Sequence, residues 1–429
     1  EEMAHVAKEM KRQNFHVPLL IGGATTSKVH TAVKIAPNYE QPVVYVADAS
    51  RSVGVTGKLL SEEHKAGFIS ELETDYAQVR ERFDQGNRKK SLQSINAARA
   101  NSFKSDWQNL SPEQPRKPGI HTLKNFSFET LVDYIDWTPF FHTWQLRGKY
   151  PQILEHKTMG EQAQSLFADA QKMIQRFIDD PAMQAHAVFG FFPANTVNGE
   201  DIDIFDIDDP SKRLCTLPGL RQQGQLPDGK PNLALADFIA PASAGYRDTI
   251  GCFAVTAGAG LEQLAAEYDR AHDDYNSIMA KAIGDRFAEA FAEYLHREVR
   301  LDYWGYAKDE QLSARELIAE KYRGIRPASG YPACPDHTQK LFLWSLLNVE
   351  EHTGISLTES LAMWPASSVS GWYFAHPESK YFGVGKLGRD QLADYARRTG
   401  MELRVAEKWL AANLAYDPDT VPGEVSIAV

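Results

Sequence analysis

The chain has 429 residues, a net charge of −11, and 43% hydrophobic against 24% charged side chains. This length predicts two to three domains with ample core, and the acidic balance argues against nucleic acid or an anionic membrane as the main partner. No apolar run reaches the roughly twenty residues of a membrane span, no signal peptide opens the chain, and Cys215, Cys252 and Cys334 form neither a zinc pattern nor a disulfide framework, so a reducing cytoplasm is the expected setting.

Glu1 to Asn14 reads as a helix, with Met3, Val6 and Met10 at helical spacing. Val17–Ile21 is a short strand ending in Gly22 and Gly23, and Ser27–Ile35 reads as a helix. Gln41–Val46 is a second strand, followed by Asp48-Ala49-Ser50-Arg51 and helix to about Phe83. Strand, glycine turn, helix, strand, loop and helix form the doubly wound α/β pattern. Its ligands sit beyond the carboxyl ends of the strands, where Gly22, Gly23, Ala49 and Ser50 fall. From Gln85 to Gly119 the apolar period fades. Between Arg80 and Lys117 nine basic residues face four acidic ones, a local +5. That stretch reads as a solvated linker, or as a dock for an acidic partner.

From Ile120 onward, Phe128–Ile135 predicts a helix that Pro139 breaks, and Lys157–Asp179 a longer one. Ala187–Phe192 predicts a buried strand, Asp201–Asp208 a half-exposed one, and Phe238–Ala240 and Gly251–Thr256 further strands. Leu261–His296 reads as helix interrupted near Gly284, and Leu312–Tyr322 and Thr338–Leu347 as helices. A strand pair around 355–363 and 371–374 and a helical region from Asp390 close the chain. Strands and helices without regular alternation indicate α+β.

The stretch Arg326-Pro-Ala-Ser-Gly330-Tyr331-Pro-Ala333-Cys-Pro335 stands apart. Its prolines stiffen the backbone and Gly330 permits a positive φ, so its amides are held in place before a ligand arrives. Arg326 offers a planar fork suited to carboxylate or phosphate. Asp136 reads either as a helix cap or as a carboxylate facing a cation. Arg286 and Glu289, at i and i+3, pair with each other or border a site. Tyr381 and Phe382 read as strand residues on opposite faces, or as site residues. Gly258-Ala-Gly260 and Gly383-Val-Gly385 lack the spacing of dinucleotide and phosphate loops and read as turns. The scattered histidines show no metal-ligand spacing.

Arg-x-x-x-Gly-Tyr-Pro followed by Ala-Cys-Pro-Asp-His-Thr-Gln-Lys resembles the S-adenosylmethionine loop in the reactivation domain of cobalamin-dependent methionine synthase. Tyr134–Phe141, Ser370–Val384 and Ile21–Ser27 fit the same family in the same order, so the resemblance covers essentially the whole chain. It implies residues 1–84 as the second half of a cobalamin-binding domain, 85–119 as linker, and 120–429 as an α+β reactivation domain. The implied chemistry is reductive reactivation, with methyl transfer from S-adenosylmethionine to cob(I)alamin to give methylcobalamin. A methyltransferase is thus expected, the alternatives being a regulatory S-adenosylmethionine-binding module or a corrinoid-binding docking scaffold.

The resemblance places Asp136, Arg286, Glu289, Arg326, Gly330, Tyr331, Ala333, Tyr381 and Phe382 at S-adenosylmethionine, with Arg326 on its carboxylate and Asp136 on its ammonium. Phe382 stands where the family has a second tyrosine. It places Gly22, Gly23, Ala49 and Ser50 near the corrinoid's nucleotide tail. The family's Asp-x-His-x-x-Gly motif, source of the lower cobalt ligand, is absent, so the chain is expected to start inside that domain and to hold free cobalamin poorly. Zinc belongs only to the homocysteine domain that the chain lacks. The implied partners are the remaining methionine synthase domains and flavodoxin or a similar electron donor.

Overall fold

The computed structural model describes residues 2–22, 27–46, 49–61, 63–88, 92–227 and 229–419. Contacts divide the chain into two units, Glu1–Ser91 and Leu92–Val429.

In the first unit, α1 (Glu2–Arg12) leads to β1 (Leu19–Ile21), which pairs in parallel with β2 (Val43–Tyr45). Two helices follow, α2 (Ala49–Leu60) and α3 (Lys65–Arg88). Ala7, Ile21, Ile35, Tyr39 and Val43 form its core. Parallel strands separated by helical chain are the expected α/β arrangement. Gly22 lies directly after β1, where an added Cβ would stand 3.1 Å from the Val46 carbonyl. Ala49 and Ser50 open α2; Gly23 lies outside the described residues.

The second unit is built on one antiparallel sheet: β3 (Gly119–Leu123), β4 (Gln184–Val197), β5 (Asp201–Phe205), β6 (Arg213–Leu217), β7 (Asp248–Ala259) and β8 (Ser368–Tyr373). The order is β8-β7-β4-β5-β6, and β3 and β5 share one edge of the long strand β4. Both faces are covered. Phe189, Phe191, Phe253 and Val255 pack against α4 (Trp137–Thr143), α5 (Gly160–Asp179), α6 (Leu261–Arg270) and α7 (Asp274–Glu298). Their neighbours Val188, Phe192, Cys252 and Ala254 point the other way, onto α8 (Gln339–Leu347). Burial on both faces is why β7 reads as a continuous apolar run rather than an alternating one. The second unit is α+β, as expected.

Several local expectations fail for identifiable reasons. Trp137–Thr143 is helical despite Pro139, because Asp136 caps it and the proline lies in the first turn, where no amide partner is lost. The long helical stretch breaks at His272, with φ +55, and Asp273 caps α7. Gly284 continues that helix and gives room to Leu261 and Ser367 instead. Phe238–Ala240 follows a 3-10 turn rather than forming a strand, and the helix expected over Leu312–Tyr322 is only Ala314–Ile318. Strand β5 is buried throughout: Asp201 is paired with Arg398 and Asp203 accepts from Thr216 and Arg213.

The expected linker needs the largest correction. Residues 92–119 belong to the second unit. Ile95–Ala100 is a helix capped by Ser94, and Arg99 pairs with Glu200 (2.8 Å) and Asp394 (2.5 Å). The Ile95 amide donates to Asp390, Asn101 bonds Asn232, and the Trp304 indole donates to the Glu113 carbonyl. Beneath lies Arg221, almost fully buried, holding Glu200 at 2.7 Å and Asp237 in a two-point pair. These anchors are polar and far apart in sequence, so no apolar period announces them. Arg99 and Lys117, the latter paired with Asp302, are also spent internally, which reduces the charge left for an acidic partner.

His376 pins this segment through Ser105 (2.8 Å) and ring contacts with Phe103 and Trp107. Burial pulls its pKa down from 6.5 to about 4. The folded chain therefore favours neutral His376, a contribution present above pH 6.5 and lost as pH falls towards 4. Urea titrations at pH 7 and pH 5 should show a loss of stability of which about 2 kcal/mol vanishes in His376→Asn. An identical loss in both proteins would remove this role.

Candidate functional site

The loop Arg326–Pro335 is laced to three elements. The Gly330 amide donates to the Cys334 carbonyl (2.7 Å) and the Cys334 amide to Tyr331 (2.9 Å), closing a tight turn. The Trp372 amide of β8 donates to the Pro327 carbonyl, the Val384 amide to Pro332, and Cys334 Sγ lies 2.6 Å from Gln339 Oε1 of α8. Burial pushes the Cys334 thiol up to about 12, so it stays protonated and structural. Gly330 has φ +97, and a Cβ there would fall 2.2 Å from the His337 ring. Conformation and space both demand glycine.

Against this loop opens a cavity of about 570 Å³, walled also by Phe253 of β7, Ser368 and Ser370 of β8, Glu289 of α7, and Glu320, His337, Lys340, Met363, Tyr381 and Phe382. Its size and mixed lining suit a small organic ligand. A more open groove of about 730 Å³, between Glu113 and Arg323, holds none of the residues singled out in sequence.

Arg326 enters the cavity already anchored. Its guanidinium lies 2.8 Å from Glu293 and donates to the Tyr322 hydroxyl at 3.1 Å, with His296 Nδ1 at 3.4 Å. Burial opposes the charge, but Glu293, Tyr322 and Tyr381 together hold the guanidinium's pKa above its ordinary value. Burial, with Arg300 and Arg326 nearby, keeps His296 neutral. The Arg326 amide donates to the Tyr381 hydroxyl (2.9 Å). Nε of Arg326 has no partner among the described residues.

The structure brings Arg326, Tyr331, Ala333, Glu289, Tyr381 and Phe382 to one cavity, with Gly330 at the turn between. Tyr381 and Phe382 lie in irregular chain, not a strand, and both face the cavity. Arg286 and Glu289 do not pair with each other among the described residues. Burial raises the Tyr331 phenol's pKa, with Glu289 reinforcing and Arg286 opposing. Asp136 stands apart from the lining: its Oδ1 caps α4 through the Thr138 amide (3.0 Å), while Oδ2 has no partner among the described residues. Glu320, His337 and Lys340 escaped sequence reasoning. His337 and Lys340 follow the loop directly, and the run Asp-His-Thr-Gln-Lys was their only signal.

Residues 127–400 match the model of the vitamin B12 dependent methionine synthase activation domain. That match spans more than half of the chain. The chain belongs to this activation-domain family. A crystal structure of the MetH reactivation domain bound to AdoHcy is 52% identical, covering 76% of this chain and 99% of that one, with a TM-score of 0.74. Within the activation-domain fold, the cavity lies where β7 and β8 meet the glycine-tyrosine-proline loop. No helix among the described residues is long and apolar enough to cross a membrane.

Gly330→Ala should destabilise the loop beyond the roughly 1–2 kcal/mol that a left-handed non-glycine residue costs, because His337 must also move. Gly385→Ala is the control: its φ is +76 but nothing lies within 4 Å. Equal losses of melting temperature in the two variants would show that the His337 approach carries no weight.

Proposed function

We propose that the cavity binds S-adenosylmethionine and presents its methyl group to cob(I)alamin, as a reactivating methyltransferase step of methionine synthase. The observation that carries this reading is the cavity under the Arg326–Pro335 loop, in a chain 52% identical to a domain whose structure holds AdoHcy. Charge agrees with it. The acids Glu289, Glu320 and Asp136, with Glu293 behind Arg326, against the cations Lys340, Arg326 and Arg286 sum to −1, complementing a sulfonium ligand whose amino-acid end is a neutral zwitterion. Arg326 takes the ligand carboxylate, Glu289 and Glu320 offset the sulfonium, and the free oxygen of Asp136 takes the ammonium. Arg286, Tyr331, Ala333, Tyr381 and Phe382 complete the pocket. The preformed loop lowers the ordering cost of binding.

Cobalamin supplies the nucleophile when bound; this chain's own contribution is to bind, orient and exclude water. The first unit fits the cobalt ligand poorly: of its histidines His5, His16 and His64 are exposed and His30 is half-buried, and none stands in an Asp-x-His-x-x-Gly motif. Gly22, Gly23, Ala49 and Ser50 are left as contacts to a nucleotide tail. The electron donor in this reading is flavodoxin or a similar acidic protein. Cobalamin mixed with the chain should show no histidine-ligated spectrum, and donor binding should weaken with salt. Tight, stoichiometric cobalamin retention or salt-independent docking would overturn these two points respectively.

Arg326→Ala strands buried Glu293, so the double variant Arg326→Ala, Glu293→Gln is the cleaner test. Calorimetry should show S-adenosylmethionine binding weakened by about 2–5 kcal/mol, with Arg326→Lys intermediate because lysine lacks the fork. Asn caps as well as Asp, so Asp136→Asn should leave stability unchanged and weaken binding through charge alone. Wild-type affinity in the double variant would show that the carboxylate lies elsewhere. Methyl transfer to added cob(I)alamin separates the enzyme from a regulatory binding module, and cobalamin binding without S-adenosylmethionine binding would favour a docking scaffold.

A further inference from the structure

Lys340 is a buried cation with no carboxylate partner among the described residues. It is 5% exposed, and its ammonium lies 2.8 Å from the Leu361 carbonyl and 3.0 Å from His337 Nδ1. No acidic side chain pairs with it among the described residues, and burial lowers its pKa. A buried charge is costly unless it is paired and hydrogen-bonded, and Lys340 has the hydrogen bonds without a paired carboxylate among the described residues. Lys340 and His337 both line the 570 Å³ cavity.

An ammonium has donors only. His337 Nδ1 must therefore accept, and the ring proton sits on Nε2. Burial and the Lys340 charge also hold His337 neutral. Its ring lies over Gly330, and Nε2 has no hydrogen-bond partner among the described residues. The cavity lining thus carries the Arg326 guanidinium, the carboxylates Glu289 and Glu320, and a His337–Lys340 pair that presents hydrogen-bond donors.

We infer that the His337–Lys340 pair recognises the nucleoside half of the ligand, His337 donating from Nε2 to an acceptor atom of the purine or ribose and Lys340 acting as a positioning residue. This rests on the S-adenosylmethionine reading above. An adenine ring carries unprotonated nitrogens as acceptors and a ribose its hydroxyl oxygens, and the His337–Lys340 donors suit either. Glu289 and Glu320, which repel such lone pairs, are left to the sulfonium, and Asp136 to the ammonium. The α-carboxylate has Arg326. Glycine at 330 then has a second purpose, since any side chain there would displace the reading histidine.

The test is calorimetry on the full chain with S-adenosylhomocysteine and with 5′-methylthioadenosine, which lacks the amino-acid end. His337→Phe keeps a ring over Gly330 without the donor, and should weaken both ligands about tenfold, the worth of one hydrogen bond. The Arg326→Ala, Glu293→Gln variant should weaken only S-adenosylhomocysteine. Lys340→Met should reproduce the His337→Phe loss and Lys340→Arg should recover part of it, with melting temperatures matched. Unchanged affinities in His337→Phe, or a loss confined to S-adenosylhomocysteine, would overturn the assignment. Failure of the unaltered chain to bind S-adenosylhomocysteine would instead overturn the proposed function.

Discussion

The pair between Arg326 and Glu293 joins the Arg326–Pro335 loop to α7, and the geometry of the cavity depends on it. Glu293 is 7% exposed, and its second oxygen is buried without a partner among the described residues. Desolvating two charges is costly, and such a pair contributes little net stability against an apolar substitute. What it does is fix a direction. With one edge of the guanidinium held by Glu293, Tyr322 and His296, only the remainder is left to meet a ligand. His296 in turn stacks on Tyr373, and Tyr373 on Phe253 of the central sheet. The orientation of one side chain is thereby referred to the most buried part of the molecule, and positions the geometry before any ligand arrives.

The loop was legible in sequence because its physics is local. Prolines restrict φ, glycine permits the turn, and an arginine precedes them; each constraint acts within ten residues. The central strands were legible for a similar reason, since burial on both faces leaves an unbroken apolar run. What escaped is tertiary. Lys340 looks like an ordinary exposed residue of a helix start until Leu361 and His337 close over it. Glu320 enters the cavity from a turn with φ +54 that no propensity announces. The acids of β5 alternate as a half-exposed strand should, yet Arg213 of the neighbouring β6 and Arg398 from far along the chain allow them to be buried.

Asp136 shows how a helix cap can leave a second atom open for another role. One oxygen caps a helix whose sequence contains a proline; the other has no partner among the described residues. Cap and contact use different atoms, so sequence reasoning had no ground for choosing between them. Arg286 and Glu289 are the opposite case. Their spacing allows a pair that does not form among the described residues, and what they share is Tyr331.

The polar anchoring of residues 92–119 bears on how the second unit can be excised. Composition alone draws the boundary near Ile120. A cut there would remove Arg99 from Glu200, whose side chain is fully buried, and from Asp394. It would also take Glu113 from Arg323 and the carbonyl that receives the Trp304 indole. The resulting piece would expose a seam of stranded charge along one side of an otherwise intact core. The natural portable fragment begins at Leu92, and its first thirty or so residues serve as an electrostatic clasp rather than a tether.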